Sequence, residues 1–384
     1  MRKALPAAAA FAALIVTTAL STTAAQANPR VAVTAATGDV VAGEYIVITR
    51  PGMARALSAR AGGAVLHVYE HALHGFAARL TDAQLHALQR NREVRTIEPN
   101  QVVMIRPDSV QTPTPNWGLD RIDQRNLPLN NTYVYFNPGF GVTAYVLDTG
   151  INVSHPEFGG RAAVAFDALG GNGLDCNGHG THNAGTIGSA TYGVAKQVQL
   201  RSVRVVDCNG AGTFAGIIAG VNWVQANSSG PSVALLALGG SKSLSLDAAV
   251  NSLSASGVFV AVSGGSSASD ACNFSPQGAS GAFAVIRSTQ TDTSPTSNNF
   301  GPCIKMHAPG TSITSTWLGT GTATLSGTAM ASAHVAGVAA MLKDAINDVP
   351  SSVVSAFLLG VATQGVLVGV PPGSPNTLLY TNLI

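Results

Sequence analysis

The apolar and polar positions of this chain fall into two textures. In the first, EYIVIT (Glu44 to Thr49) alternates as a strand with one solvated face does, and Met53 to Ala61 has helical composition. Ala64 to Val68 and Gly75 to Leu80 read as paired strands around a short turn. Thr81-Asp82-Ala83-Gln84 then forms a capping box ahead of LHALQR, since a threonine hydroxyl and a glutamine three residues on satisfy each other's free backbone donors. A last strand, Val94 to Ile97, leads into Pro99. Residues 43–106 are therefore expected to form a small α+β unit of their own.

The second texture begins at Trp117. Runs such as VTAYVLD, LRSVRVVD, VALLALGG and GVFVAVSGG alternate with Gly/Ala-rich helical stretches. Strands apolar on both sides are buried on both faces, so residues 117–384 are predicted to be α/β, a mostly parallel sheet with helices on both faces. In such sheets ligands sit beyond the carboxyl ends of the strands. Between the two textures, residues 107–116 contain Pro107, Pro113 and Pro115 and read as an exposed linker.

Arg2 and Lys3, an apolar run from Ala4 to Leu20 and the small residues Ala25-Gln26-Ala27 read as an export signal over residues 1–27, followed by a short segment, 28–42. No later uncharged stretch reaches the roughly 20 strongly apolar residues that a membrane span needs, so a secreted, extracellular chain is expected. Composition points the same way: 46% hydrophobic and 10% charged residues describe a compact core. A net charge of +2, unclustered, gives neither nucleic acid nor an anionic membrane a patch to bind. A monomer with a catalytic or binding groove is expected instead.

Four cysteines in an exported chain imply two disulfides, for which three pairings exist. Cys176 and Cys208 flank one α/β unit and Cys272 and Cys303 another, which favours those pairs. Each closes a loop worth about 3–4 kcal/mol by chain entropy. No C-x-x-C or His/Cys cluster supports zinc.

Three segments carry chemistry. Asp148 ends VTAYVLD and precedes Thr149-Gly150, which places its carboxylate at the ligand edge of the sheet. Asp-Thr-Gly is also half of an aspartic-protease site, but that chemistry needs two such carboxylates and the chain has one copy. His179 lies in NGHGTHNAGTIG, and an imidazole with an ordinary pKa near 6.5 can take a hydroxyl proton and return it to a leaving amine. His182, in the same segment, is expected to be structural. The third segment is Leu325 to Leu342, LSGTAMASAHVAGVAAML.

The second and third segments resemble H-G-T-H-[VC]-A-G and G-T-S-M-A-[ST]-P-H-V-A-G of the subtilisin family of serine proteases. The resemblance is closest to the proteinase K and aqualysin branch and covers nearly all of 117–384, through GSPNTLLYT. It implies that Asp148 and His179 stand at two triad positions, the aspartate orienting the histidine, with Ala329 where the nucleophilic serine should be. An alanine methyl cannot attack a carbonyl. Ser326 and Ser332 are hydroxyls nearby, but active relatives carry hydroxyls at the same two places beside their nucleophile. GFAARLTDAQLHALQRNREVRTIEPNQVV is similar to the family's inhibitor I9-type, ferredoxin-like propeptide, so the chain's own propeptide is an expected partner in cis.

Other positions depart from the family together. Set against V-A-A-G-N-D-N-x-D-A-C-N-Y-S-P, the segment VAVSGGSSASDACNFSP puts Ser266 where an asparagine amide donates to the oxyanion, a donor worth about a hundredfold to a thousandfold in rate. Ala333 replaces a proline and Ala237 a serine. Lys305 replaces an aspartate that is a calcium ligand in relatives similar to proteinase K; calcium wants oxygen ligands, so Lys305 weakens a calcium site without closing it, and no other metal or cofactor is expected. The segments that pair with an extended peptide in the family persist at Gly210 and Gly212 and at Leu238 and Gly239, and Gly264 and Gly265 match the wall of its first specificity pocket. The resemblance implies a secreted subtilisin-like endopeptidase homologue that has lost cleavage, a pseudoprotease. Its groove would still hold extended peptides, protein substrates or protease inhibitors. The alternative is an active serine endopeptidase whose nucleophile the motif does not reveal.

Overall fold

The computed structural model describes residues 30–35, 40–101, 109–382 and 384, so the expected export signal and its cleavage site lie outside the described residues. The chain divides into two compact units, with the division between residues 105 and 106.

In the first unit β1 (Val40–Thr49), α1 (Ala54–Arg60), β2 (Ala64–Tyr69), β3 (Gly75–Arg79), α2 (Asp82–Gln89) and β4 (Val94–Gln101) follow in order. The four strands form an antiparallel sheet in the order β2-β3-β1-β4, a ferredoxin-like βαββαβ arrangement. Val47, Leu57, Phe76, Leu85 and Ile97 form its core. The capping box is present: Thr81 Oγ1 accepts from Gln84 N–H and Gln84 Oε1 from Thr81 N–H. The last strand is longer than its apolar run implies, continuing through Pro99, opposite Tyr45, to Gln101. An edge strand has one side without ladder partners, and there a missing N–H is tolerated.

The second unit opens with β5 (Ser109–Gln111), α3 (Trp117–Ile122) and β6 (Tyr133–Tyr135). β5 pairs antiparallel with β6, and Gln111 Nε2 donates to Thr191 O. This corrects the linker expectation for its described part, residues 109–116, which begins with a short strand held against this unit by the SVQ/YVY pairing. The body then runs β7 (Thr143–Asp148), β8 (Ala162–Asp167), α4 (His179–Gly188), β9 (Gln199–Arg204), α5 (Phe214–Asn227), β10 (Ser232–Leu236), β11 (Gly240–Ser241), α6 (Leu244–Ala255), β12 (Phe259–Ser263) and β13 (Phe274–Ser275). It ends with β14 (Phe283–Ser288), β15 (Ile304–Pro309), β16 (Ile313–Thr316), β17 (Thr322–Leu325), α7 (Thr328–Ile346), α8 (Ser351–Val361), β18 (Thr363–Gln364) and β19 (Thr377–Leu378).

Among the described residues nine strands make the central sheet, in the order β18-β19-β15-β14-β12-β10-β7-β9-β8, and every pairing there is parallel except β18 with β19. Alternation explains the unbroken apolar runs. Val233 and Leu235 of β10 pack in the core shared with α4 and α7, whereas Ala234 and Leu236 pack in the core shared with α5 and α6. α7 is buried from Thr328 to Lys343 and must be narrow all round, which its alanines and Gly337 allow; a Cβ at 337 would press on Val194. The order of connection reverses between β7 and β10. Asp148 ends one of these strands and Ala237 follows the other.

Candidate active site

Asp148 is buried and accepts hydrogen bonds from Thr149 N–H at 2.7 Å and Asn183 Nδ2 at 2.9 Å. His179 Nδ1 lies 2.8 and 2.9 Å from its two carboxylate oxygens. His179 is the first residue of α4, and the turn before it is built around Asp175. That carboxylate accepts from the N–H groups of Asn177, Gly178 and Thr181 and from the hydroxyls of Thr149 and Thr181. Gly178 has φ 108°, and a Cβ there would run into the Trp317 indole. The charge of Asp148, opposed by partial burial, holds the His179 imidazole above its ordinary value of 6.5. His182 is buried instead, its Nε2 near Ile313 O and Ala323 O, and burial pushes its pKa down to about 4. That matches a structural histidine.

Ala329 lies at the start of α7, which has no side-chain cap. It lines a cleft of about 410 Å³ together with Ser266, Thr328, Gly265, Ala237, Gly239, Phe274, Gln277 and Asn299. A second cleft of about 360 Å³ holds Asp148, His179, Asn209, Gly210, Leu238 and again Ala237 and Gly239. The segment after β10 therefore walls both, with the Asp148–His179 pair on one side and Ala329 with Ser266 on the other. The loop bearing Ser266 is held to α7 by Gly265 N–H donating to Thr328 Oγ1 at 3.2 Å. It is braced further by Asn299 Oδ1, which accepts from Ser267 and Ser269 N–H. What this arrangement can supply is a half-buried, oriented imidazole as proton acceptor and, from α7, helix-start N–H donors. It supplies no hydroxyl at 329.

The remaining sequence candidates separate. Gly210, Leu238, Gly239 and Gly265 line the clefts, but Gly212 and Gly264 do not. Gly212 forms a β-bridge with Val206, and Gly264 N–H donates to Val285 O, where a Cβ would meet the Ile286 side chain. Ser332 is buried with its hydroxyl on Ala329 O, and the Ser326 hydroxyl accepts from Ser312 N–H. Ala333 is buried inside α7. Lys305 lines a different cleft, with Ser254, Ser280 and Ser351. It stands at the start of β15, the opposite end of the sheet from Asp148. The expected disulfides join Cys176 to Cys208 beside the Asp148 side and Cys272 to Cys303 beside the Ser266 loop. Among the described residues no three His, Cys, Asp or Glu side chains group to hold a metal, and no helix is long and apolar enough to cross a membrane. Gln277 joins the site without a motif to announce it, whereas Thr328 lies within G-T-S-M-A and Asn183 at the variable position of H-G-T-H-[VC]-A-G, one turn after His179 on the same helix face.

Comparison with known proteins accounts for this arrangement. The subtilase family (Peptidase S8) profile matches residues 139–376, and the peptidase inhibitor I9 profile matches residues 44–106. An extracellular serine proteinase of Thermus sp. is 47% identical over 324 residues, covering 83% of this chain and 78% of that protein. Alkaline serine exoprotease A of Vibrio alginolyticus is 47% identical over 320 residues, 82% of this chain; the chain spans 60% of that relative's length. The crystal structure of a cold-adapted subtilisin-like serine proteinase matches with a TM-score of 0.69 at 46% identity, covering 70% of this chain and 99% of that one. With a profile match over most of its length, a parallel sheet whose ligand edge holds an Asp–His pair, and an I9 unit in front, the chain belongs to the subtilase family.

Proposed function

We propose that this protein is a secreted subtilase that no longer cleaves and instead holds extended peptides, its own propeptide or protease inhibitors in the groove between the two clefts. The observation that carries the reading is the pairing of Ala329 with Ser266 on one cleft: the motif position of the nucleophile has no hydroxyl, and that of the oxyanion amide has no amide. Removing the nucleophile of a hydrolytic triad lowers turnover about a millionfold. Binding does not depend on it, because an extended peptide pairs with backbone, and Gly210, Leu238 and Gly239 still line the cleft wall. Calcium plays no part in this reading. Lys305 stands where the resemblance would put a carboxylate ligand, and an ammonium cannot coordinate a cation.

A fluorophosphonate probe tests the proposal. Folded protein is expected to remain unlabelled and to leave a chromogenic peptide intact; labelling of one serine, mapped by mass spectrometry, overturns the reading. The secreted chain's mass adds a second test. A chain without a nucleophile does not cut its own propeptide, so purified protein expressed alone is expected to begin near Asn28. Efficient self-cleavage near Ser109 to Thr112 contradicts the proposal.

The assembled Asp148–His179 pair favours one second reading, slow hydrolysis in which His179 takes a proton from water. Turnover that survives purification, disappears in His179→Ala and labels no serine supports it.

A further inference from the structure

We infer that the Cys176–Cys208 disulfide is a modification site, open to exchange with low-molecular-weight thiols of the glutathione class, and that exchange leaves a mixed disulfide on Cys208 at the rim of the His179 cleft. Neither cleavage nor peptide binding at the groove is required for it.

The two disulfides differ in access. Cys176 and Cys208 are both exposed, whereas Cys272 and Cys303 are half-buried and Cys303 packs against the core shared with α5 and α6. An attacking thiolate must reach a sulfur, so access favours the first bond. Charge favours the same bond. Arg204 closes β9, and its Nη2 lies 3.3 Å from Cys176 Sγ and 3.6 Å from Cys208 Sγ. Its Nη1 faces Asp167 Oδ2 at 3.5 Å, so the carboxylate holds one arm of the guanidinium while the other rests on the sulfurs.

The exchange balances without an added oxidant. The small thiol gives its proton to water, and its thiolate attacks Cys208 Sγ. A new S–S bond forms there, the Cys176–Cys208 bond breaks, and the electron pair of the broken bond stays on Cys176 as a thiolate. Arg204 lies nearer to Cys176 and stabilises that charge, and a thiolate of lowered pKa leaves faster. One disulfide is consumed and one is formed.

The surrounding loops let the bond open locally. Asp175 fixes the loop before His179 through the N–H groups of Asn177, Gly178 and Thr181, while Asp207 fixes the turn bearing Cys208 through those of Asn209 and Ala211. Asn177 Nδ2, which donates to Cys208 O, still joins the two loops when the sulfurs part. Asn209 and Gly210 line the cleft that holds His179, so an adduct on Cys208 stands at its edge.

The test exposes the full secreted chain, folded and without denaturant, to reduced glutathione at about pH 8, where a useful fraction of the thiol is ionised. Samples are stopped in acid, free thiols are capped with a maleimide, and the products are mapped by mass spectrometry. Glutathione on Cys208 with the cap on Cys176 is expected, at least about tenfold faster than any change at Cys272–Cys303. Equal rates at the two disulfides overturn the inference, because exchange through global unfolding exposes both together. First adducts on Cys176 overturn it as well. Arg204→Met is expected to slow the reaction about tenfold and Arg204→Lys to restore part of the rate. An unchanged rate in folded Arg204→Met also overturns the inference. Melting curves establish that each variant is folded; should Arg204→Met not fold, the ratio of rates at the two disulfides of the unaltered protein decides alone.

Discussion

The two sides of the groove are built on different principles. On the histidine side, the atoms that could do chemistry also hold the fold. Asp148 carries Thr149, Asn183 and His179, and Asp175 ties the start of α4 to the loop after β7. On the other side, the loop with Ser266 is held by Thr328 and Asn299, neither of which stands at a family position of the nucleophile or the oxyanion amide. A serine hydroxyl at 329 or an amide at 266 would address only the reacting molecule. Their replacement therefore costs the fold little, whereas replacement of Asp148 strands several buried donors. Structural duty is a physical reason for one half of a site to persist when the other does not.

The largest expected effect follows directly. Ala329→Ser should acquire fluorophosphonate labelling and raise peptide hydrolysis by roughly a thousandfold. Adding Ser266→Asn should raise it by about another hundredfold or more, read as kcat/KM with a chromogenic peptide. No gain from the double variant would mean that the Ala329 side has lost its geometry as well as its atoms.

The disulfides come next, one beside each side. Opening Cys176–Cys208 or Cys272–Cys303 by paired serine substitution should each cost about 3–4 kcal/mol in urea unfolding, because the loops have nearly equal separations of 32 and 31 residues. A large inequality would show that one side is braced by something besides its staple.

A smaller contrast tests the principle most directly. Asp148→Ala should destabilise the protein by about 2–3 kcal/mol by leaving the Thr149, Asn183 and His179 donors unpaired, while Ala329→Ser should stay within about 1 kcal/mol. Urea midpoints at unchanged slope are the measurement.

The smallest effect is a titration. The His179 imidazole should titrate above 6.5 by NMR and move down toward that value in Asp148→Asn. The sign for stability follows from a raised folded pKa: the contribution is fully present below 6.5 and is lost as pH rises through the folded value. In Ala329→Ser the same group must be neutral to act as base, so activity should rise with pH through that value.

Much of this was legible before any coordinates. Period-two alternation and the Thr81–Gln84 box announced the small unit, and doubly apolar runs announced a parallel sheet. The end of β4 is not legible in the sequence because Pro99 looks like a terminator, and only the sheet order places it on an edge where it is tolerated. The SVQ strand was invisible among prolines, since its partner YVY lies more than twenty residues on. Gly212 and Gly264 share a glycine's anonymity with Gly210 and Gly265, but they face inward contacts rather than the groove.

The sequence by itself determined the two textures, the identity of residue 329 and the presence of a single Asp-Thr-Gly, because each is a matter of composition or short-range period. Tertiary structure alone decided that Asn183 completes the partners of Asp148, that Thr328 pins the Ser266 loop, and that the Gln277 amide lies under Gly239 with one end unpaired. Hydrogen-bond partners are chosen by which backbones approach, and that approach is set by the packing of strands and helices distant in sequence.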